Sequence, residues 1–147
     1  MKLYQSNAIQ ALLERYGVER ANPVHTPMLS NSPLVPDDQL QNQLKDDEIT
    51  WYQQLVGVLL WVMLATRPDI SFAVSRLSKF SHQPSIIHAQ ALKRLLRYLV
   101  ATKHLGLLYY DAPFSLDGYS DSDFAADSAT RKSVKAYIFK LGHDSIS

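Results

Sequence analysis

Residues 50 to 66, "TWYQQLVGVLLWVMLAT", are apolar on nearly every side, and Arg67-Pro68 follows at once. This stretch constrains the fold more than any other. A helix that is apolar all round has to be buried on most of its surface, so the rest of the chain must pack around it. Its unbroken apolar part, Leu55 to Ala65, is about half the length that a membrane-crossing helix needs, roughly 20 residues. A core helix is therefore expected, and no membrane partner. With 147 residues, 46% of them apolar and 20% charged, the chain has the make-up of a globular domain with a proper core.

Around this helix the periodicity predicts others. Residues 5 to 16, "QSNAIQALLERY", place Ala8, Ile9, Leu12, Leu13 and Tyr16 on one face. Ser6 or Asn7 can cap that helix and Gly17 ends it. Residues 21 to 36 hold four prolines and no period, which predicts an extended linker. Pro68 stops the core helix. Asp69 then opens another that runs to about Phe80, its carboxylate suiting the positive end of the helix dipole. Residues 86 to 102 form a further helix with Leu92, Leu95, Leu96 and Leu99 as its apolar stripe.

The character changes at Leu105. "LGLLYYD", "SLDGYSD" and "VKAYIFKL" read as strands, "GHD" as a turn, and "SIS" as the opening of the next strand. The expected class is α+β. The sheet looks cut just after its hairpin turn, which would expose unpaired backbone from Val134 to Leu141. That edge is a candidate for self-association.

Charge is uneven. Residues 1 to 66 carry a net of −3, residues 67 to 107 a net of +6, and residues 108 to 147 a net of −2. The basic middle suggests an anionic partner, most commonly nucleic acid. The same residues can equally serve as a solvated helix face. Lys93, Arg94 and Arg97 share a stripe, joined by Arg76, Lys79 and Lys103. Contacts of that kind to a phosphate backbone position a duplex without reading its sequence.

"DGYSDSDFAAD" brings Asp117, Asp121, Asp123 and Asp127 together. On a strand, Asp121 and Asp123 would share a face. Magnesium prefers such carboxylate oxygens but needs several of them fixed. The bland reading of Asp117, Asp123 and Asp127 is turn and surface carboxylates. The five histidines show no ligand spacing, and there is no cysteine, so no zinc site and no disulfide is expected. The start, "MKLYQSNAIQ", has no signal-peptide core. An intracellular protein, cytoplasmic or nuclear and not secreted, is expected.

Four stretches, "QALLERYGVERANPVHTPM", "YQQLVGVLLWVMLATRPDISFAVSRLSKF", "HAQALKRLLRYLVATKHLGLLYY" and "GYSDSDFAADSATRKSVKAYIFKLG", occur in the order and spacing of one family. The chain resembles the Pol polyprotein of copia-type LTR retrotransposons over essentially its whole length. The resemblance implies that residues 1 to 104 are the helical C-terminal end of a reverse transcriptase, its thumb and connection. Residues 105 to 147 would begin a ribonuclease H-like sheet, left incomplete. It implies magnesium as cofactor, an RNA–DNA hybrid or duplex as partner, and Asp121 as the first metal-binding carboxylate of the ribonuclease H site. No Tyr-x-Asp-Asp is present, and the remaining ligands would lie outside the chain. Residual nucleic-acid binding is therefore the expected function, with catalysis incomplete. The alternative is a non-enzymatic interaction module that pairs through the open sheet edge. The chain departs from the family where Phe124 and Ala126 replace tryptophan and glycine. It departs again at Val134, Lys135 and Ala136, where small hydroxylated residues and a glycine are usual.

Overall fold

The computed structural model describes residues 1–29, 34, 36, 42–110, 115–122, 133, 135–142 and 144–145. The architecture is mixed α/β. It divides into two compact units: Tyr4–Gly106, which is helical, and Met1–Leu3 with Leu107–Ser147, which is built on strands.

In the helical unit, α1 (Ser6–Arg15) buries Ile9, Leu12 and Leu13, the positions that the apolar period picks out. Its C-terminus closes as the sequence suggests. Gly17 takes a φ of 64°. The Gly17 N–H donates to the Glu14 carbonyl and the Val18 N–H to the Leu13 carbonyl. These are the two reversed bonds of a Schellman motif, and a left-handed residue is what they require. The N-terminus differs from expectation. Gln5 occupies the cap position without a side-chain bond. The Ser6 hydroxyl donates instead to the Lys103 carbonyl at 2.8 Å, tying α1 to the far end of the unit.

The core helix α2 spans Asp46–Ala65 and starts earlier than its apolar run. Asp46, Asp47 and Glu48 form its first turn, where carboxylates oppose the positive end of the dipole. The Glu48 carboxylate also accepts from the Lys45 N–H at 3.0 Å. Tyr52, Leu55, Val56, Leu59 and Val62 are buried, a single stripe. Trp61 and Leu64 are exposed, so the expectation of burial on most sides is corrected. Apolar character permits burial but does not compel it.

A single 3-10 turn, Pro68–Ile70, leads into α3 (Ser71–Ser78). The longer α4 (Ile86–Thr102) buries Leu92, Leu95, Leu96 and Leu99 as its period predicts. Ser85 caps it. The Ser85 N–H donates to Nδ1 of His88 at 2.9 Å. A histidine thus takes the place that glutamate usually holds in a capping box. The His88 ring stacks on Phe80 at 3.9 Å. The hydroxyl of buried Tyr52 donates to the Leu77 carbonyl at 2.8 Å, and burial raises its pKa.

Strand β1 (Lys2–Tyr4) pairs with β2 (Gly106–Leu108) in a two-stranded sheet. Met1 and Tyr109 exchange backbone hydrogen bonds beside it, which marks the pair as antiparallel. A three-stranded antiparallel sheet follows in the order β3 (Leu116–Ser122), β4 (Lys135–Leu141), β5 (Asp144–Ser145). β3 and β4 pair along their full length, Leu116 opposite Leu141 and Ser122 opposite Lys135. Leu141 pairs with Asp144 across the next turn, and Gly142 supplies the positive φ, 63°, that a two-residue hairpin demands. The buried Asp144 carboxylate accepts from the Tyr110 N–H at 2.7 Å.

Candidate nucleic-acid interface and the Asp121 strand

The basic residues singled out by charge lie on or beside α3 and α4, and the structure gives them unequal roles. Arg97 Nε donates to the Asn22 carbonyl at 2.6 Å, and the Val24 N–H donates back to the Arg97 carbonyl at 3.4 Å. Arg94 Nη2 donates to the Thr26 hydroxyl at 2.8 Å. Arg76 Nη2 reaches the Leu34 carbonyl at 3.4 Å. Three of the six cations therefore hold the proline-containing stretch against α4 and α3. Val24 and Met28 pack against the core there, and Leu34 is buried within it. The described residues of the stretch, 21–29, 34 and 36, form no helix or strand, and Val24, Met28 and Leu34 dock on the core rather than leaving a free linker.

Lys103 Nζ donates to Gln10 Oε1 at 3.0 Å, closing α1 onto the end of α4. Lys93 is exposed, with Nζ 5.9 Å from the centroid of the Trp51 ring. Lys79 is exposed at the C-cap of α3. A guanidinium has five N–H donors, so each arginine keeps donors beyond the bond described.

The deepest charge is Arg67, which is fully buried. Its Nε and Nη2 meet Asp69 Oδ1 and Oδ2 at 2.9 and 2.7 Å. Nη1 donates to the Thr102 carbonyl at 3.0 Å, and Nη2 also contacts the Thr102 hydroxyl at 2.7 Å. The Tyr98 hydroxyl donates to Asp69 Oδ2 at 2.8 Å. Burial alone would raise the Asp69 carboxyl. The hydrogen bonds from Arg67 and Tyr98, with the charge of the guanidinium, outweigh it and hold the carboxyl below its ordinary range. Tyr98 moves up, first through burial and then through its bond to the Asp69 carboxylate. The network joins the end of α2, the 3-10 turn and the end of α4.

Asp121 lies on β3 opposite Ala136, with an exposed side chain. The alternation of the strand puts Asp117, Tyr119 and Asp121 on one face, with Lys140 opposite Asp117. Lys140 Nζ lies 5.6 Å from the Tyr119 ring centroid. Asp123 and Asp127 fall outside the described residues, so the expected sharing of a face by Asp121 and Asp123 does too. Among the described residues no group of three His, Cys, Asp or Glu comes together in a way that could hold a metal ion. Asp121 by itself does not fit magnesium, which requires further fixed oxygens.

Sequence reasoning missed the aromatic surface along α2. Tyr16 and Trp51 meet edge to face at 6.1 Å, and Trp61 stands exposed. Gly57 within the apolar run was the available signal, because glycine in a helix interior is less favourable than alanine. No helix among the described residues is long and apolar enough to cross a membrane.

No protein-family model matches the chain, and no solved structure matches it significantly. Curated sequences do. The chain is 43% identical to the retrovirus-related Pol polyprotein from transposon RE1 of Arabidopsis thaliana, over 100% of the chain and 10% of that protein. It is 34% identical to the retrovirus-related Pol polyprotein from transposon TNT 1-94 of Nicotiana tabacum, over 99% of the chain and 11% of that protein. It is also 44% identical to secreted RxLR effector protein 161 of Plasmopara viticola, over 65% of the chain and 68% of the effector. The chain thus spans about a tenth of the length of the Pol relatives it matches.

Proposed function

Because the chain is 34–43% identical to retrovirus-related Pol polyproteins from transposons over 92–100% of its length, we propose that it serves to hold nucleic acid. In this reading residues 1–104 correspond to the thumb and connection end of a reverse transcriptase, and residues 105–147 to the start of a ribonuclease H-like domain. The parent reactions are RNA-directed DNA synthesis and hydrolysis of RNA in RNA–DNA hybrids, both magnesium-dependent. Hydrolysis would need carboxylates in addition to Asp121, so no catalytic step is assigned to the described residues.

The observation that supports this reading is the alignment of the whole chain with Pol sequences, joined to a net charge of +6 over residues 67 to 107. Lys93 and Lys79 are the exposed cations that a phosphate backbone would meet first. Arg94, Arg97, Arg76 and Lys103 would add their remaining donors. Such contacts are electrostatic and independent of sequence, so affinity should fall linearly in log–log form with added salt.

The test is a titration of the purified chain with an RNA–DNA hybrid at several salt concentrations, magnesium present, following binding and cleavage together. The expected result is salt-sensitive binding whose slope drops by about 1 for each phosphate-contacting cation changed to alanine. A slope unchanged in the Lys79→Ala/Lys93→Ala and Lys93→Ala/Arg94→Ala/Arg97→Ala variants would sink the proposal.

A second reading is favoured by one observation. β5 pairs with β4 only at Lys140 and Leu141, so among the described residues the remainder of that β4 edge has no strand partner. Self-association through that edge would bury it. Sedimentation showing a stable dimer without affinity for nucleic acid would favour this reading over the first.

A further inference from the structure

One surface is explained neither by the core nor by the cations of α4. On α2, Gln54, Gly57 and Trp61 share a face through the i, i+3, i+7 spacing. With Arg15 and Tyr16 at the end of α1, and Val58, they line a cavity of about 400 Å³. Trp61 is 55% exposed there. Gly57 lies between Gln54 and Trp61 on that face, three residues from the one and four from the other. Its backbone is not left-handed, and a Cβ built on it would meet nothing within 4 Å. Neither backbone conformation nor close packing therefore calls for glycine. Glycine in a helix interior is less favourable than alanine. Its effect here is to leave a flat, open floor beside the indole.

The polar groups around that floor are specific in kind. Gln54 supplies an amide with both donors and an acceptor. The Arg15 guanidinium lies 5.8 Å from the Tyr16 ring centroid. The lining carries one cation and no carboxylate. A flat aromatic ring attached to an anion satisfies all of these features. We propose that the slot takes a nucleobase of single-stranded nucleic acid. The base stacks on Trp61 across Gly57, Gln54 bonds its edge, and Arg15 meets the adjoining phosphate. Bases of any sequence can stack in this way, because each presents a π face. The proposal rests on the reading that the chain handles nucleic acid, but it assigns a site separate from the α4 cations.

The test uses a Trp51→Phe background, which leaves Trp61 as the sole tryptophan. Binding of a short oligothymidylate is followed by indole quenching, and binding of an RNA–DNA hybrid by a label on the hybrid. The expected result is that Trp61 is quenched by the single strand. Gly57→Leu, which fills the slot, should lower single-strand affinity by roughly tenfold or more while hybrid affinity stays the same. Gly57→Ala should raise the melting temperature, as a helix-favouring change, and still weaken single-strand binding. A fold defect moves those two readouts together, so their opposite signs separate occlusion from unfolding. If the single strand binds and folded Gly57→Leu and Trp61→Ala bind as tightly as their parent, this site is wrong and the broader reading stands. If neither the single strand nor the hybrid binds, both fail. If Trp61→Ala changes only the sedimentation of the chain, the slot is a contact between two copies and the proposal is overturned.

Discussion

The Arg67 guanidinium meets the Asp69 carboxylate side-on, through Nε to Oδ1 at 2.9 Å and Nη2 to Oδ2 at 2.7 Å, only two residues apart in sequence. The cation is fully buried and the carboxylate side chain is 34% exposed. The pair therefore spans the boundary between core and solvent. Water on the Asp69 side weakens the attraction. Thr102 accepts from Nη1 and Nη2 of Arg67, and the Tyr98 hydroxyl donates to Asp69.

Removing the carboxylate leaves a buried guanidinium without its counter-charge. Asp69→Asn should destabilise the chain by about 2–3 kcal/mol, below the range for a fully buried pair because Asp69 is partly solvated. Urea midpoints of parent and variant, at equal slope, measure the difference.

The same pair sets a pH dependence. The Asp69 carboxyl is held lower in the folded chain than in the unfolded one. Its contribution is therefore fully present above the ordinary carboxylate value, about 3.9, and is lost as pH falls through the lower folded value. Urea melts taken at steps from neutral to acid pH should show the parent losing stability through this window. Asp69→Asn should lack that component.

Nδ1 of His88 accepts the hydrogen bond of the Ser85 N–H, which caps the start of α4. His88→Ala should cost about 1 kcal/mol for the lost cap, and more through the lost stack on Phe80. His88→Gln should recover part of that loss, since glutamine can fill the same place in a capping box. Hydrogen exchange at the first turn of α4 distinguishes the two variants.

Arg97→Ala should free the backbone from Asn22 to Thr26, because its Nε bond to the Asn22 carbonyl is among the few that hold that segment. Limited proteolysis should cut there faster than in the parent, with the helices still protected. An unchanged cleavage pattern would show that Val24 and Met28 suffice by packing alone.

In β3, Gly118 lies opposite Phe139, whose ring comes within 3.1 Å of where a glycine Cβ would stand. The ring covers backbone that glycine leaves bare. Phe139→Ala should speed exchange at the β3 and β4 amides while leaving the helices untouched, which amide-resolved exchange can read.

How far the fold was legible depended on how local its causes are. The whole of α4, Ile86–Thr102, could be read because four leucines repeat at the helical period. The start of α2 at Asp46 could not, because its first turn is carboxylates and glutamate capping rather than apolar repeat. Trp61 and Leu64 were misjudged for a different reason. Hydrophobic identity says what can be buried, and only the neighbours decide what is. Strand β1, Lys2–Tyr4, is too short to carry a period, and its partner is remote in sequence. Among the candidate site residues, the cationic stripe was visible as charge. That Arg94 and Arg97 grip Thr26 and Asn22 depends on a docking no spacing rule encodes. Asp121 was placed on a strand by its alternation, and there it stands, but the resemblance rather than the strand singled it out.

The bonds between Met1 and Tyr109 join positions 108 residues apart. Met1–Leu3 belongs to the same unit as Leu107–Ser147, although Tyr4–Gly106 separates them in sequence. Removing Met1–Leu3 would take a strand from the unit that lies at the opposite end of the sequence. A contact of such high order also belongs late in folding, because the chain between its partners has to be gathered before the pairing returns any energy.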